Sequence, residues 1–416
     1  MINTVRGTKD IIPAQVSDWH FVENIFRNVS ALYSYKELRT PIFEKTEVFS
    51  RSIGDDTDIV NKEMYTFKDK GDESITLRPE QTAALVRAVI QNGLDRESAN
   101  LRLYYIGPYF RYERPQKGRL RQFHQYGAES IGSQNPEADV EILLLANKVI
   151  KELGINDYKL LINTLGTENS RQNYKNALIA YLNQNKELLS AESQSRLENN
   201  PLRVLDSKSE KDIAIIENAP IILDYLDEES ANHFNTVTKL LDSADVKYII
   251  QPRLVRGLDY YCHTVFEFQS SVLGAQDSFG GGGRYDGLFT QLGGKPNPAV
   301  GFAMGVERIL LILEALQISN KNERDCDIFV VCSNTNLMNY ANKVAEIFRN
   351  KGQRVVSDIN RRSMKAQFKE ANRQNAKYSI IIAEEEIKRN AVVIKNMSNS
   401  EQVEIEIDKL ADFELK

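Results

Sequence analysis

Ten of the 22 glycines in this 416-residue chain fall between Gly274 and Gly305. Four are consecutive, Gly280-Gly281-Gly282-Gly283, and Arg284-Tyr285-Asp286 follows them. Glycine is costly wherever a chain must be ordered, so this concentration marks backbone that has to approach something closely. The common nucleotide loops do not fit. A phosphate loop ending at Lys295 would need Ser or Thr at Pro296 and glycine at Phe289. A dinucleotide fingerprint begun in the glycine run meets Tyr285 or Asp286 where its last glycine belongs. A nucleotide bound here sits on a different scaffold.

Hydrophobic spacing sets the elements around this stretch. Val22, Ile25, Phe26, Val29 and Leu32 form the stripe of an amphipathic helix over 11–33. A strand over 36–43 carries Pro41, a residue suited to an edge or a bulge. Residues 74–77 read as a strand, and Pro79 is placed in the first turn of a helix reaching Asn92. Segments 101–112 and 122–131 are dense in Tyr, Phe and Ile, and predict paired strands joined by the polar loop 113–121. A helix is expected from 137 to 153, and residues 166–245 read as an inserted, mostly helical subdomain. Residues 299–305 form a small-residue strand that turns into an apolar helix. Arg308 stands in the first turn of that helix, where a cation opposes the helix dipole. A ligand anion is one reason to keep it there, and a surface arginine flanking the core is the other.

A polar boundary at 319–324 is followed by strands near 327–331, 353–356, 378–383, 391–394 and 402–407, with helical patterns between the first three. This is a compact α/β domain.

Composition excludes several classes. With 42% hydrophobic and 27% charged residues the chain suits a globular protein rather than a disordered polyampholyte. No apolar stretch approaches the roughly 20 residues that span a bilayer. The first ten residues carry Arg6, Lys9 and Asp10 without an apolar core, unlike a signal peptide. Cys262, Cys326 and Cys332 have no paired spacing, and the four histidines lack partners at i+3 or i+4. Neither a disulfide framework nor a dedicated metal site is expected, and the cytoplasm is the expected compartment.

The net charge of −5 argues at first sight against nucleic acid, but the cations are unevenly spread. Between Arg111 and Arg121 the balance is +4, and between Lys351 and Lys377 it is +6. The first run joins two aromatic strands that include Phe110 and Phe123, so it suits phosphates beside a planar base; the alternative is a solvated loop. A second constellation, Arg256-Gly257-Leu258-Asp259-Tyr260-Tyr261, offers cation, anion and hydroxyls together. It fits a polar-ligand site and a structural ion pair with packed tyrosines about equally.

In this order the segments resemble the histidyl-tRNA synthetases of the bacterial type, over nearly the whole chain. The resemblance begins at Arg6-Gly7-Thr8-Lys9-Asp10-Ile11, and the first helix with the Pro41 strand is similar to class II motif 1. Leu77-Arg78-Pro79-Glu80 follows. Tyr109-Phe110-Arg111-Tyr112-Glu113 through Gln122-Phe123-His124-Gln125-Tyr126-Gly127-Ala128-Glu129 is similar to motif 2, and the glycine-rich segment ending at Glu307-Arg308 to motif 3. The Arg256 to Tyr261 run is the most specific of these.

The resemblance implies an α+β protein: a catalytic domain over 1–320 on an antiparallel sheet, then an anticodon-binding domain over 325–416. It implies activation of L-histidine by ATP with Mg2+ to histidyl-adenylate, transfer to the 3′-terminal adenosine of tRNA(His), and a homodimer. Arg111 and Arg256 would flank the α-phosphate, Arg111, Glu113 and Arg308 would bind ATP, and Phe123 would stack on adenine. Glu80, Thr82 and Gln125 would hold the α-amino group, and Glu129 with Tyr260 and Tyr261 the imidazole. Gln116, Arg119 and Arg121 would meet the tRNA acceptor end, and the Lys351 to Lys377 stretch the anticodon stem. Two departures stand out: Gln81 where glycine is expected, and the pair Cys262-His263. The competing reading is a non-catalytic regulatory subunit of ATP phosphoribosyltransferase, which shares the catalytic fold, lacks the C-terminal domain and loses motif arginines.

Overall fold

The computed structural model describes residues 2–54, 57, 59–96, 98–318 and 326–415, without the side chains of residues 275 and 276. The boundary expected at 319–324 lies outside the described residues. The chain divides into two compact units, 1–319 and 320–416.

The first unit opens with α1 (Pro13–Leu32), which buries Val22, Phe26 and Val29 and stops at Ser34, a left-handed residue at φ +60°. There follow β1 (Lys36–Glu37), β2 (Phe43–Lys45), α2 (Thr46–Ile53), β3 (Tyr65–Lys68), β4 (Ser74–Leu77) and α3 (Thr82–Asn92). Then come β5 (Leu101–Phe110), β6 (Gln122–Ile131), α4 (Pro136–Glu152) and β7 (Lys159–Thr164). The segment 166–245 holds α5 (Glu168–Gln184), α6 (Ala191–Asn199), α7 (Glu210–Ile216) and α8 (Glu228–Ser243). The unit ends with β8 (Ile249–Ile250), β9 (Cys262–Gln269), β10 (Ser278–Arg284), α9 (Leu288–Gln291), β11 (Ala299–Gly305) and α10 (Val306–Ala315).

Eight strands form one sheet in the order β1-β5-β6-β11-β10-β9-β7-β8, with parallel pairing only at its two edges. The expectation of an α+β protein on an antiparallel sheet holds. Strand alternation sorts the apolar residues into two cores. On one face Tyr104, Tyr126 and Phe302 meet α1, α4, α8 and α10 through Phe26, Leu143, Phe234 and Ile309. On the other, Tyr105 and Ile131 pack with α3, α5 and the 254–261 segment through Leu85, Tyr174, Leu178 and Tyr261. The insertion is therefore shared: α5 to α7 contribute to the second core, while α8 joins the first beside α4.

Two expected elements are corrected. The strand over 36–43 is broken into β1 and β2, because Pro41 has no N–H to give a ladder and Arg78 Nη1 takes the Thr40 carbonyl at 3.1 Å. The helix expected to open at Pro79 starts at Thr82. The Glu80 carboxylate accepts the Thr82 and Ala83 N–H groups at 2.6 and 2.9 Å, capping the helix and leaving Pro79 outside it. The small antiparallel sheet β2-β4-β3 has no counterpart in the sequence reading.

The glycine run is a central strand rather than a loop, lying between β9 and β11. A Cβ on Gly282 would meet Phe302 Cα at 2.6 Å and overlap the Gly301 carbonyl.

In the second unit β12 (Ile328–Cys332), α11 (Met338–Asn350), β13 (Val355–Ser357), α12 (Met364–Arg373) and β14 (Tyr378–Ile382) precede α13 (Glu384–Lys388), β15 (Ala391–Asn396) and β16 (Gln402–Glu406). The sheet order is β13-β12-β14-β15-β16, parallel across its first three strands and antiparallel beyond. Only the short α13 was not foreseen. Among the described residues no helix is long and apolar enough to cross a membrane.

Gly282→Ala should destabilise the first unit by about 1–3 kcal/mol, because the added methyl meets the β11 backbone at Gly301 and Phe302. Urea unfolding followed by far-UV circular dichroism measures it; an unchanged midpoint would show that the strands separate without cost.

Candidate active site

A cavity of about 240 Å³ lies over β6, β10 and β11 on the second-core face. Phe123, Gln125 and Glu129 reach it together because alternate residues of β6 share a face. Glu80 and Thr82 come from the start of α3, and Tyr260 and Tyr261 from the segment before β9.

Glu129 is 1% exposed, and all three of its partners are hydroxyls. Its Oε1 accepts from Thr82 Oγ1 at 2.9 Å and from the Tyr105 hydroxyl at 3.3 Å, and its Oε2 accepts from the Tyr285 hydroxyl at 2.7 Å. Burial pushes the carboxyl up to about 8, outweighing the hydroxyl donors that favour its charged form. Glu80 is raised too, again by burial. Among the described residues the buried Gln125 Oε1 has no hydrogen-bond partner, which makes it an acceptor open to a ligand donor. Tyr260 and Tyr261 have ring centroids 4.7 Å apart, and the Tyr260 ring meets the Tyr285 ring at 5.7 Å in an edge contact.

Tyr105 and Tyr285 are site residues that the sequence reading missed. For Tyr105 the signal lay in a glycine. Gly127 faces Tyr105 across β5 and β6, and Gly301 faces Glu129 across β6 and β11. A Cβ on the first would overlap the Tyr105 hydroxyl, and one on the second the Glu129 carboxylate.

The same cavity gathers Arg111, Glu113, Arg119, Arg256 and Arg308. Arg111 Nε donates to the Pro79 carbonyl at 2.9 Å, and its guanidinium lies 5.3 Å from the Phe123 ring centroid. Arg256 Nη1 donates to Glu267 Oε2 at 2.7 Å, while among the described residues its buried Nε has no hydrogen-bond partner. Arg308 Nε donates to the Gly118 carbonyl at 3.0 Å, and Nη1 to Ser278. Burial lowers the pKa of Arg308, and Arg119 and Arg111 lower it further. Arg111 is lowered by burial, with Arg256 among the lesser causes. Cations held this close create a field that favours a polyanion.

Other predicted residues lie elsewhere. Arg119 bonds to Glu113, but Arg121 lies over the Tyr112 ring at 3.8 Å, and Gln116 pairs with Arg119 at the loop tip; neither Arg121 nor Gln116 lines the cavity. Asp259 accepts from Asn200 Nδ2 at 3.1 Å. Gln81 is engaged with Tyr109, Arg78 and Thr40. The Cys262 thiol is pushed up to about 12 by burial, so it is no nucleophile at neutral pH. The His124 side chain lies on the other face of β6; Glu307, which itself lines the cavity, meets both His124 N and Nδ1, and Trp19 of α1 meets the His124 ring edge-on at 4.8 Å. Among the described residues no group of three or more His, Cys, Asp or Glu side chains converges to hold a metal.

Glu129 sets a pH dependence. Its folded pKa of about 8 exceeds the ordinary 4.5, so the unfolded chain sheds this proton first. Stability therefore falls as pH rises from 4.5 to 8. Glu129→Gln lacks that slope, so in urea unfolding at pH 5 and pH 8.5 the variant should gain a few kcal/mol on the native chain. A difference independent of pH would show that Glu129 is not held protonated.

Comparisons with known proteins give the family. Residues 7–309 match the family model for histidyl-tRNA synthetase, and residues 327–416 the model for an anticodon binding domain. A histidine–tRNA ligase of Streptococcus pneumoniae strain P1031 is 48% identical over 98% of this chain and 95% of its own. One from Streptococcus sanguinis strain SK36 is 46% identical over 98% and 96%. The apo structure of Staphylococcus aureus histidyl-tRNA synthetase superposes with a TM-score of 0.84 at 38% identity, covering 99% of both chains. An ATP phosphoribosyltransferase regulatory subunit/histidyl-tRNA synthetase of Bacillus halodurans shares the fold, with a TM-score of 0.66 at 22% identity over 92% of this chain and 98% of that one. On these matches and on the cavity they accompany, the chain belongs to the histidyl-tRNA synthetase family.

Proposed function

We propose that this chain is a histidine–tRNA ligase, which activates L-histidine with MgATP in this cavity and passes it to the 3′-terminal adenosine of tRNA(His). One observation carries the reading: four arginines, 111, 119, 256 and 308, line the same cavity as a buried carboxyl, Glu129, ringed by hydroxyls. The first group suits a triphosphate, the second an imidazole.

In the first step a histidine carboxylate oxygen attacks the α-phosphorus. The new O–P bond forms as the bond to the bridging oxygen breaks, and pyrophosphate leaves. Charge builds on the α-phosphate oxygens, and preorganised cations stabilise it because they need not reorient. Arg111 and Arg256 take that role, Arg308 and Glu113 hold the nucleotide, and Phe123 stacks on adenine. The imidazole N–H donates to Glu129, between Tyr260 and Tyr261, and Gln125 Oε1 accepts from the α-ammonium group beside Glu80 and Thr82. A competitor without the ring nitrogens forfeits the hydrogen bond to Glu129, and sites built to bond a substrate N–H reject such analogues by about 10⁴–10⁵. In the second step a ribose hydroxyl attacks the activated carbonyl, the ester forms and AMP leaves.

The regulatory-subunit alternative requires eroded motif arginines and no C-terminal domain. Arg111, Arg256 and Arg308 remain, and residues 327–416 match an anticodon binding domain. The loop tip around Gln116, with Arg119 and Arg121, is the proposed acceptor contact. In the Lys351 to Lys377 stretch Arg362 bonds to Asp358, Arg373 to Glu370, Arg354 to Asp327, and Lys351 to the Leu410 and Phe413 carbonyls. Exposed Arg361, Lys365 and Lys369 are the proposed phosphate contacts. Exposed Ile11, Ile12, Ile42, Phe43 and Phe67 suit burial against a second copy in a homodimer. The proposed compartment is the cytoplasm, consistent with three free cysteines.

Amino-acid-dependent ATP–pyrophosphate exchange tests the reading: histidine alone among the twenty should support it. Arg256→Ala should lose exchange by orders of magnitude with its circular dichroism unchanged; near-normal exchange would exclude Arg256 from the α-phosphate. Lys365→Glu with Lys369→Glu should raise KM for tRNA in aminoacylation while leaving exchange intact, and an unchanged KM removes these lysines from the tRNA path.

A further inference from the structure

The segment 254–261, which carries Arg256, Tyr260 and Tyr261, contains no helix or strand. No ladder of backbone hydrogen bonds fixes it, yet it must place a guanidinium and two phenols to a fraction of an ångström. Its outer side is not packed: a second cavity of about 290 Å³ lies behind it. That cavity shares Arg256, Leu258 and Tyr261 with the first, so the segment is a thin partition between two spaces.

Three polar contacts cross to this partition from the insertion. Arg171, in the first turn of α5, donates from Nη1 to the Tyr261 carbonyl at 2.8 Å. Arg203, in the helical turn Pro201–Asp206, donates from Nη2 to the Gly257 carbonyl. Asn200, at the end of α6, donates to the Asp259 carboxylate. From the sheet, Asn163 Nδ2 holds the Leu254 carbonyl at 3.0 Å, and from α2 the Ile53 carbonyl accepts Asp259 N at 3.3 Å. On the inner side the segment lies against bare backbone: a Cβ on Gly281 would stand 2.7 Å from Arg256 Nη1, and one on Gly283 3.0 Å from Tyr261 Cδ1.

We infer that the helical insertion positions the Arg256–Tyr261 segment for histidine activation, with Arg171 and Arg203 as the positioning residues. Both grip main-chain carbonyls, so they set where the segment lies without touching substrate. Arg203 holds the residue next to Arg256, and Arg171 holds Tyr261 itself. The inference rests on the proposed activation of histidine in the first cavity. Loss of these struts lets the partition relax into the space behind it, moving Arg256 and Tyr261 while leaving Phe123, Glu113 and Arg308 in place. A misplacement of about 1 Å at such groups costs up to a hundredfold in rate.

Steady-state ATP–pyrophosphate exchange on the full-length chain tests this with Arg171→Ala, Arg203→Ala and Arg203→Lys. Each alanine variant should lose ten- to a hundredfold in kcat and raise KM for histidine, with KM for ATP unchanged and circular dichroism intact. Arg203→Lys, which keeps a donor for the Gly257 carbonyl, should recover most of the loss. Lys175→Ala, which lines the same outer cavity, should behave as the native chain. Alanine variants with native kcat and histidine KM overturn the inference, as does an equal rise in both KM values with a lowered thermal midpoint, the mark of general loosening. A native chain without histidine-dependent exchange would sink the functional reading itself, whatever the variants do.

Discussion

A carboxyl group buried among hydroxyls, with glycines cleared around it, is the constraint on which the rest of the first unit depends. Glu129 sits on a central strand, where side chains from neighbouring strands normally crowd each face. Its neighbour across β11 is Gly301 and the residue two before it is Gly127, and side chains at either position would collide with the constellation. Taking a carboxyl out of water without a cation is expensive, and the response is a raised pKa with three hydroxyl donors. The cost is borne by the cores on either face of the sheet. Glycine in β10 extends the same logic sideways, providing the bare surface on which Arg256 and Tyr261 lie.

Much of this was legible in the sequence, for identifiable reasons. Strands β5 and β6 announced themselves by aromatic density because both of their faces are buried, one in each core, and α1 by apolar spacing because it buries one face. Every residue assigned to histidine or ATP lines one cavity: Phe123, Gln125 and Glu129 from alternate positions of β6, the others from the start of α3, the 111–121 loop, the 254–261 segment and α10. The misreadings arose where a side chain overrode a local rule. Pro79 looked like a helix start until Glu80 supplied the cap from outside the helix, and Pro41 ended a strand because Arg78 claimed the carbonyl beside it. Tyr105 was missed because its importance lies in what is missing opposite it, at Gly127. The glycine run was understood as close approach, but what approaches is a neighbouring strand on one side and a site segment on the other.

The charge pattern changes meaning in the same way. Counting cations between Lys351 and Lys377 gives an excess of +6, yet Arg354, Arg362 and Arg373 are bonded to carboxylates of their own unit. Such pairs hold loops and helix ends and present little field outward, so the surface able to attract phosphate is narrower than the tally suggests. In the first unit the opposite holds. Arg111, Arg256 and Arg308 meet few carboxylates relative to their number, and burial with mutual repulsion lowers the pKa of both Arg111 and Arg308. Repulsion of this kind is tolerated only where the surrounding structure fixes each guanidinium, as the Pro79, Gly118 and Ser278 carbonyls do.

Those carbonyl contacts explain why cationic sites are built on main chain rather than on acids. A carboxylate partner would neutralise the field that a triphosphate requires, whereas a carbonyl satisfies the guanidinium donors and leaves its charge in place. Arg119, bonded to Glu113, and Arg256, with Glu267 at 2.7 Å, do carry acids, and among the described residues the buried Arg256 Nε has no hydrogen-bond partner. Arg256 is carried on the segment 254–261, which contains no helix or strand. A charge paired on one side and open on the other keeps its orientation while it waits for an anion, provided its backbone is held, and the main-chain contacts from Arg203 and Arg171 supply that hold.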